Sequence, residues 1–261
     1  MRILITNDDG VHAEGLFRLH QALREVAKVT VVAPERPRSA CGHSITLHKP
    51  LRLNEVRLAD GSPAWACSGT PADCVTLGVL DVLAENPPDI LFSGINNGPN
   101  LGWDLSYSGT VAGALEGAML GVPSVAISVA WRFRIVGAEE DADVPPLDFR
   151  FAAEFARTLV DQLVEDPLPP HTLLNVNVPF REPRGVQATH QGVRRYPAKL
   201  ESRRDPRGQR YFWIGGDDPV DVHEPGSDVN AIHEGCISVT PVQLYMTDQP
   251  LLERLRRRYS G

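Results

Sequence analysis

Met1-Arg2-Ile3-Leu4-Ile5-Thr6-Asn7-Asp8-Asp9-Gly10 opens the chain with an apolar run that halts at two aspartates and a glycine. Ile3, Leu4 and Ile5 follow one another without polar alternation, the pattern of a strand buried on both faces, as in a parallel sheet. Successive side chains of a strand point to opposite faces, so Asp8 and Asp9 diverge if the strand simply continues. They converge on one cation only where the backbone bends, and Gly10 gives the chain the freedom for such a bend. Two adjacent carboxylates at the mouth of a parallel sheet suit a hard divalent ion such as Mg²⁺ or Mn²⁺. Asn-Asp-Asp-Gly also has the composition of an Asx-type turn. This stretch alone leaves both readings open.

Outward from it, residues 14–27 carry Leu16, Leu19, Leu23 and Val26 at helical spacing, with Arg18, Gln21, Arg24 and Glu25 between them. Val29-Thr30-Val31-Val32-Ala33, closed by Pro34, is a second buried strand. Strand, helix and strand make a βαβ unit with a right-handed crossover. Residues 35–44 (Glu-Arg-Pro-Arg-Ser-Ala-Cys-Gly-His-Ser) have no periodicity. They leave the carboxyl end of the second strand on the edge that carries Asp8 and Asp9, where open α/β sheets bind ligands. Residues 47–58 and 64–67 read as short strands, candidates for antiparallel addition. Thr70-Pro71-Ala72-Asp73 is a strong helix start, with Thr as N-cap and Pro at the first position; the helix is expected to reach residue 83, before Asn86-Pro87-Pro88.

Asp89-Ile90-Leu91-Phe92-Ser93 is the next buried strand and empties into a second glycine-rich polar exit, Gly94-Ile95-Asn96-Asn97-Gly98. A further helix begins at Ser108, with Gly109, Gly113, Gly117 and Gly121 four residues apart. Such a stripe allows close approach to a neighbour; with Glu116 inside it, it is a packing feature and not a membrane dimer motif. Residues 122–128 form another core strand. Residues 131–146 read as a loop with an acidic patch (Glu139, Glu140, Asp141, Asp143), and 149–164 as an amphipathic helix with Phe151, Phe155, Leu159 and Leu163 on one face.

After a strand at 173–178 the texture changes. Residues 185–216 alternate around Asp205-Pro206-Arg207-Gly208, a hairpin-type turn. This exposed ribbon, with Arg194, Arg195, Arg203 and Arg204, has too little core to stand alone and is expected to project and pair with another subunit. A short helix at 228–233, a strand at 236–240 and a terminal helix at 250–259 follow; the last carries Arg254, Arg256, Arg257 and Arg258 at the negative end of its dipole. The chain thus divides into an α/β core, residues 1–180, and a C-terminal extension, 181–261, some of whose strands return to the core.

A length of 261 residues accommodates one large α/β domain with such an extension. A formal charge of −7 and a pI near 5.6 argue against a dedicated nucleic-acid or anionic-membrane partner. Cys41, Cys67, Cys74 and Cys236 are too scattered for a disulfide framework or a zinc site and suit a reducing compartment. No signal peptide is expected, since the sequence opens on a strand without a basic n-region, and no apolar run approaches the roughly 20 residues of a spanning helix. A cytoplasmic, membrane-independent protein is expected.

Three strand exits therefore share one edge: Asp8 with Asp9, the Ser39 loop, and Asn96. Two carboxylates neutralise a divalent cation, while a neutral hydroxyl and amide avoid the surplus charge that would repel a dianionic phosphate. The free N–H groups and dipole of the helix opening at Ser108-Gly109-Thr110 favour a phosphate, although an ordinary N-cap accounts for the same residues.

Together with Ala33-Pro34-Glu35-Arg36-Pro37-Arg38-Ser39, Gly69-Thr70-Pro71-Ala72-Asp73-Cys74-Val75 and Tyr107-Ser108-Gly109-Thr110-Val111-Ala112-Gly113, these motifs resemble, in order over the first half of the chain, the SurE family of stationary-phase survival proteins. The resemblance implies a Rossmann-like, doubly wound, mostly parallel sheet whose C-terminal extension is exchanged between subunits in homodimers or homotetramers. It implies a divalent-metal-dependent phosphatase of nucleoside 5′- and 3′-monophosphates, acting in some members on short polyphosphate. The cofactor would be Mg²⁺ or Mn²⁺, one per subunit, on Asp8, Asp9, Ser39 and Asn96. Asp8, Asp9 and Asn96 would be catalytic, and Asn96, Ser108, Gly109 and Thr110 would contact phosphate. Asp8 and Asp9 lead as candidates for the general base, but a cation-bound carboxylate is a weak one. His12 and His43 stand near two motifs and read as surface or supporting residues. Trp103 and Tyr107 fit either stacking on a base or packing under a loop.

Receiver domains also bind Mg²⁺ at an acidic pair, but the Asp and Lys that phosphoryl acceptance needs are missing at Ser93-Gly94-Ile95-Asn96 and beyond. Asn7-Asp8-Asp9 lacks the Asp-x-Asp spacing of haloacid-dehalogenase-type phosphatases, and no phosphate-binding Gly-Lys-Ser/Thr loop occurs. The different-class alternative is a metal-dependent nucleotide sensor without turnover.

Overall fold

Runs such as Ile3-Leu4-Ile5 and Val125-Ala126-Ile127 have no polar face to turn to water, so they form the interior of a sheet covered on both sides. The computed structural model describes residues 1–130, 148–196, 199–214 and 219–259. In chain order the first seven strands are β1 (Arg2–Thr6), β2 (Lys28–Pro34), β3 (Leu53–Arg57), β4 (Pro63–Cys67), β5 (Ile90–Asn97), β6 (Ser124–Ala130) and β7 (Thr172–Pro179). The rest are β8 (Val186–Ala188), β9 (Arg194–Arg195), β10 (Leu200–Arg204), β11 (Arg210–Ile214), β12 (Val220–Asp221) and β13 (Ile237–Gln243). The helices are α1 (Glu14–Leu23), α2 (Pro71–Leu77), α3 (Gly109–Met119), α4 (Arg150–Glu165), α5 (Asp228–His233) and α6 (Gln249–Tyr259).

Nine strands form one sheet in the order β3-β4-β2-β1-β5-β6-β7-β13-β8. From β4 to β7 every neighbouring pair is parallel, so the parallel strands run third, second, first, fourth, fifth, sixth. This is the doubly wound order, in which the chain winds one way from β1 and the other way from β5. The crevice it leaves lies outside the carboxyl ends of β1 and β5, where Asp8, Asp9 and Asn96 emerge. α1 and α4 cover one face, burying Leu16, Leu19, Leu23, Leu159 and Leu163 against Ile3, Phe92 and Val176. α2 and α3 cover the other, with Val75, Val111 and Ala118 against Leu4, Leu91 and Leu173.

The glycine stripe sets α3 down on the strands. A Cβ at Gly113 would stand 2.8 Å from Ser93 Oγ, and one at Gly117 would collide with Ser124 Oγ. Gly121 differs: its φ of +80° and open surroundings make it the turn that ends the helix.

Several expectations change. Of the two strands expected at 47–58 and 64–67, β4 pairs parallel with β2 and β3 alone adds antiparallel, because direction is set by a partner and not written in a short apolar run. Residues 47–52 form no strand. α1 stops at Leu23, and Val26 is 40 % exposed instead of joining the core. The helix expected over 70–83 is α-helical only to Leu77 and continues as a π-turn over Gly78–Val82. The ribbon expected at 185–216 is three separate pieces. β8 joins the main sheet beside β13, β9 pairs with β12, and only β10 with β11 forms a free hairpin around Asp205–Gly208. Arg194 is buried, not exposed. The acidic loop at 131–146 lies outside the described residues.

Candidate active site

At the end of β1, Asn7 is buried and its side chain makes the turn: Nδ2 donates to Gly10 O (3.0 Å) and Gly10 N–H donates to Asn7 Oδ1 (3.2 Å). Gly10 sits at φ +101°, a conformation that favours glycine. The Asx turn thus belongs to Asn7, and Asp8 and Asp9 carry their carboxylates elsewhere. The turn therefore does not occupy the Asp8 and Asp9 side chains.

Asp8 is 6 % exposed, and Thr110 Oγ1 donates to its Oδ1 at 2.5 Å. Burial pushes its carboxyl up to about 6; the Thr110 hydrogen bond opposes the rise and the neighbouring Asp9 charge adds to it. Asp9 is half-buried and accepts from Asn97 N–H (3.2 Å); burial raises its pKa as well. Without a cation, this pair of acids is held where burial and mutual repulsion both disfavour full ionisation.

The other exits close on the same place. Arg38 N–H donates to Asp8 O (2.7 Å), which brings Ser39 to the rim. In β5 the register against β6 shifts between Ser93 and Asn96, an irregularity of the kind that re-aims side chains near sites. Asn96 Nδ2 donates to Gly98 O (2.8 Å), leaving its carbonyl oxygen as the acceptor. Ser108 caps α3, its Oγ accepting from Val111 N–H at 3.0 Å. Asp8, Asp9, Ser39, Asn96 and Ser108 all line one cavity of about 370 Å³. Gly109 stands directly beneath: a Cβ there would lie 2.7 Å from Asp8 Cβ. Thr110 is fully buried, and its hydroxyl is committed to Asp8.

Comparison with known proteins decides the family. A model described as survival protein SurE matches residues 3–198. The chain is 45% identical over 261 residues to a protein of Pelotomaculum thermopropionicum named 5′-nucleotidase SurE, covering 98% of this chain and 95% of that one. It is 48% identical over 260 residues to another of that name from Chloroflexus aggregans, covering 98% of both. The crystal structure of the SurE protein from Aquifex aeolicus superposes with a TM-score of 0.81 at 36% identity, over 99% of each chain. This chain belongs to the SurE family.

Besides the expected ligand and phosphate residues, the cavity of this SurE chain includes Asn97 and Tyr107 from the same motifs and, outside them, Asn100, Asp104 and Tyr196. Asp104 accepts from Tyr196 O–H (2.7 Å) and pairs with Arg194 (3.2 Å), which also pairs with Asp221 at 2.7 Å. Tyr196 and Arg194 bring the C-terminal third of the chain to the rim, which no local spacing announces. Asn100 is different. Asn175 and Asn177 donate to its carbonyl (both 2.9 Å), and its N–H donates to Asn177 Oδ1 at 2.8 Å. Two asparagines at strand spacing in Leu173-Leu174-Asn175-Val176-Asn177-Val178 were a visible signal, since buried amides need partners. His12 lines another cavity, with Phe17 and Arg57. His43 meets Glu116 at 2.8 Å. Trp103 is 54 % exposed and does not line the site; Tyr107 does.

Proposed function

We propose that this chain is a divalent-metal-dependent phosphomonoesterase that releases phosphate from nucleoside 5′- and 3′-monophosphates, with short-chain polyphosphate as a further substrate. The observation that carries the reading is the convergence of Asp8, Asp9, Ser39, Asn96 and Ser108, from four segments of the chain, on one cavity. Relatives named 5′-nucleotidase, matching nearly end to end, support the substrate class.

The donor set fits a hard cation. Among the described residues no cluster of three or more His, Cys, Asp or Glu side chains could hold a metal. Two carboxylates supplemented by the hydroxyl of Ser39 and the carbonyl oxygen of Asn96 are an all-oxygen set suited to Mg²⁺ or Mn²⁺, one per subunit. When bound, that cation supplies charge neutralisation for the phosphoryl group and a lowered pKa for a water nucleophile.

The protein's own groups do the positioning. Thr110 fixes one oxygen of Asp8 and Asn97 one oxygen of Asp9, so the carboxylates enter the reaction already oriented. Asn96, with Asp8 and Asp9, forms the catalytic floor. Ser108 keeps a hydroxyl proton to give, because its oxygen accepts from Val111, and the opening N–H groups of α3 at Gly109 and Thr110 add positive potential for the phosphate. Thr110 thus serves phosphate through its backbone and Asp8 through its hydroxyl.

The assembly proposed is a homodimer or homotetramer in which residues 181–261 cross between subunits. Leu200, Phe212, Trp213 and Ile214 of the free hairpin are all at least 47 % exposed, which supports that role. An acidic pI near 5.6 and four unpaired cysteines support a reducing, cytoplasmic setting. Among the described residues no helix is long and apolar enough to cross a membrane.

Phosphate release from 5′- and 3′-mononucleotides and tripolyphosphate, with Mg²⁺, Mn²⁺ or EDTA, tests the reading. Release is expected with either metal and to cease in EDTA. Nucleotide binding without release under any metal would instead favour a sensor, and undiminished release in EDTA would exclude the metal.

A further inference from the structure

Between β2 and β3 the chain forms neither strand nor helix, yet Ser39 has to keep one position beside Asp8 and Asp9. Its own backbone does not favour that position. Ala40 and Gly42 both sit at φ +54°, the left-handed region, and Ala40 does so with a Cβ. The conformation is therefore imposed from outside the loop.

The anchors are specific. Gly42 N–H donates to Tyr107 O (3.0 Å), immediately before α3. His43 Nε2 meets Glu116 Oε2 at 2.8 Å, two turns along the same helix. Glu116 is itself fixed, its Oε1 accepting from Thr76 Oγ1 of α2 at 2.9 Å. Further along, Asp73 accepts from both N–H and O–H of Thr46 (2.9 and 2.6 Å), and Ser44 O accepts from Thr70 Oγ1 at 2.7 Å. Neither Glu116 nor Asp73 lines the cavity. The His43 hydrogen bond, ahead of the opposing effect of burial, holds the Glu116 carboxyl below its ordinary range, so it is an anion at neutral pH.

We propose that Glu116 is a positioning residue for Ser39: through His43 it clips the Ser39 loop to α3, the helix whose first turn holds Asp8 through Thr110. Ser39 and Asp8 thereby take their positions from one rigid element, and the left-handed Ala40–Gly42 turn is kept from relaxing. Asp73 secures the downstream end of the same loop to α2. The inference rests on the reading of Ser39 as a metal ligand.

The test compares Mn²⁺ dissociation constants, from the paramagnetic resonance of free Mn²⁺, for full-length wild type, Ser39→Ala, His43→Ala, Glu116→Ala, the His43/Glu116 double variant and His43→Gln. His43→Ala and Glu116→Ala should each weaken binding about tenfold, the usual lower range for groups that orient ligands without touching the metal. The double variant should be no weaker than either single one, because both break one link. His43→Gln, which keeps an N–H near the place of Nε2, should restore most of the affinity. Exchange of the Gly42 amide proton should accelerate in Glu116→Ala without metal. If Ser39→Ala weakens binding while His43→Ala and Glu116→Ala bind like wild type, or if the two losses add, the clip is refuted and the ligand assignment stands. If Ser39→Ala binds like wild type, the ligand assignment itself fails, and the inference with it.

Discussion

Asp8 shows how much of the site is decided by one buried side chain. Its carboxyl is pushed up to about 6 by burial, with the Asp9 charge adding to the Thr110-opposed rise. Relative to an ordinary aspartate near 4, the folded protein without metal holds the Asp8 proton more tightly than the unfolded chain. The stabilisation this gives is fully present below about pH 4 and is lost as pH rises through about 6. Asp8→Asn removes that dependence. In EDTA the variant should melt at a higher temperature than wild type at pH 7 to 8, and the gap should close towards pH 4 in thermal scans. Equal melting temperatures across the range would show that Asp8 is not strained in the metal-free fold. The carboxylates, Ser39, Asn96 and Ser108 were legible because each sits at a strand exit or helix start that local pattern marks. Asp104 and Tyr196 were not, since a lone acid in a turn and a tyrosine in a weakly patterned segment meet only through the fold.

Helix α3 carries the next level of the design, since its glycines fix its distance from the sheet and hence from Asp8. A methyl at Gly109 would stand 2.7 Å from Asp8 Cβ and 2.8 Å from Oδ2. Gly109→Ala should therefore displace Asp8 and cut kcat/KM by about a hundredfold, the scale of an ångström-level misplacement. Gly121→Ala has open space but a φ of +80°; it should cost about 1–2 kcal/mol in urea unfolding and leave kcat/KM unchanged. Similar kinetic losses for both would show that α3 acts only through general stability. The four-residue glycine spacing announced close packing without saying onto what, and the answer was the edges of Thr6, Ser93 and Ser124. The direction of β4 was hidden for a related reason. An apolar run of five residues fits either direction, and only its place beside β2 selects parallel.

For the whole molecule, alternating strands and helices announced parallel βαβ units and the family resemblance supplied the doubly wound order; in the C-terminal third the elements at 228–233, 237–243 and 249–259 were legible, whereas the pairing of the segments over 185–216 was not. In that third β8 and β13 complete the sheet, and Arg194, although in an arginine-rich segment, is buried between Asp104 and Asp221. The β10–β11 hairpin is the piece left without a core, with Trp213 62 % and Ile214 92 % exposed. Replacing both with Ser should lower the mass measured by light scattering from that of a dimer or tetramer; a monomeric wild type would contradict the assembly. The fold gathers two carboxylates from the exit of β1, a hydroxyl from the loop after β2 and an amide from β5 into one candidate cation site. Anomalous diffraction from crystals soaked in Mn²⁺ tests it most directly. One strong peak per chain is expected in contact with Asp8, Asp9, Ser39 and Asn96, and it should be lost in Asp8→Asn crystals. No peak there, or a peak that survives the substitution unchanged, would contradict it.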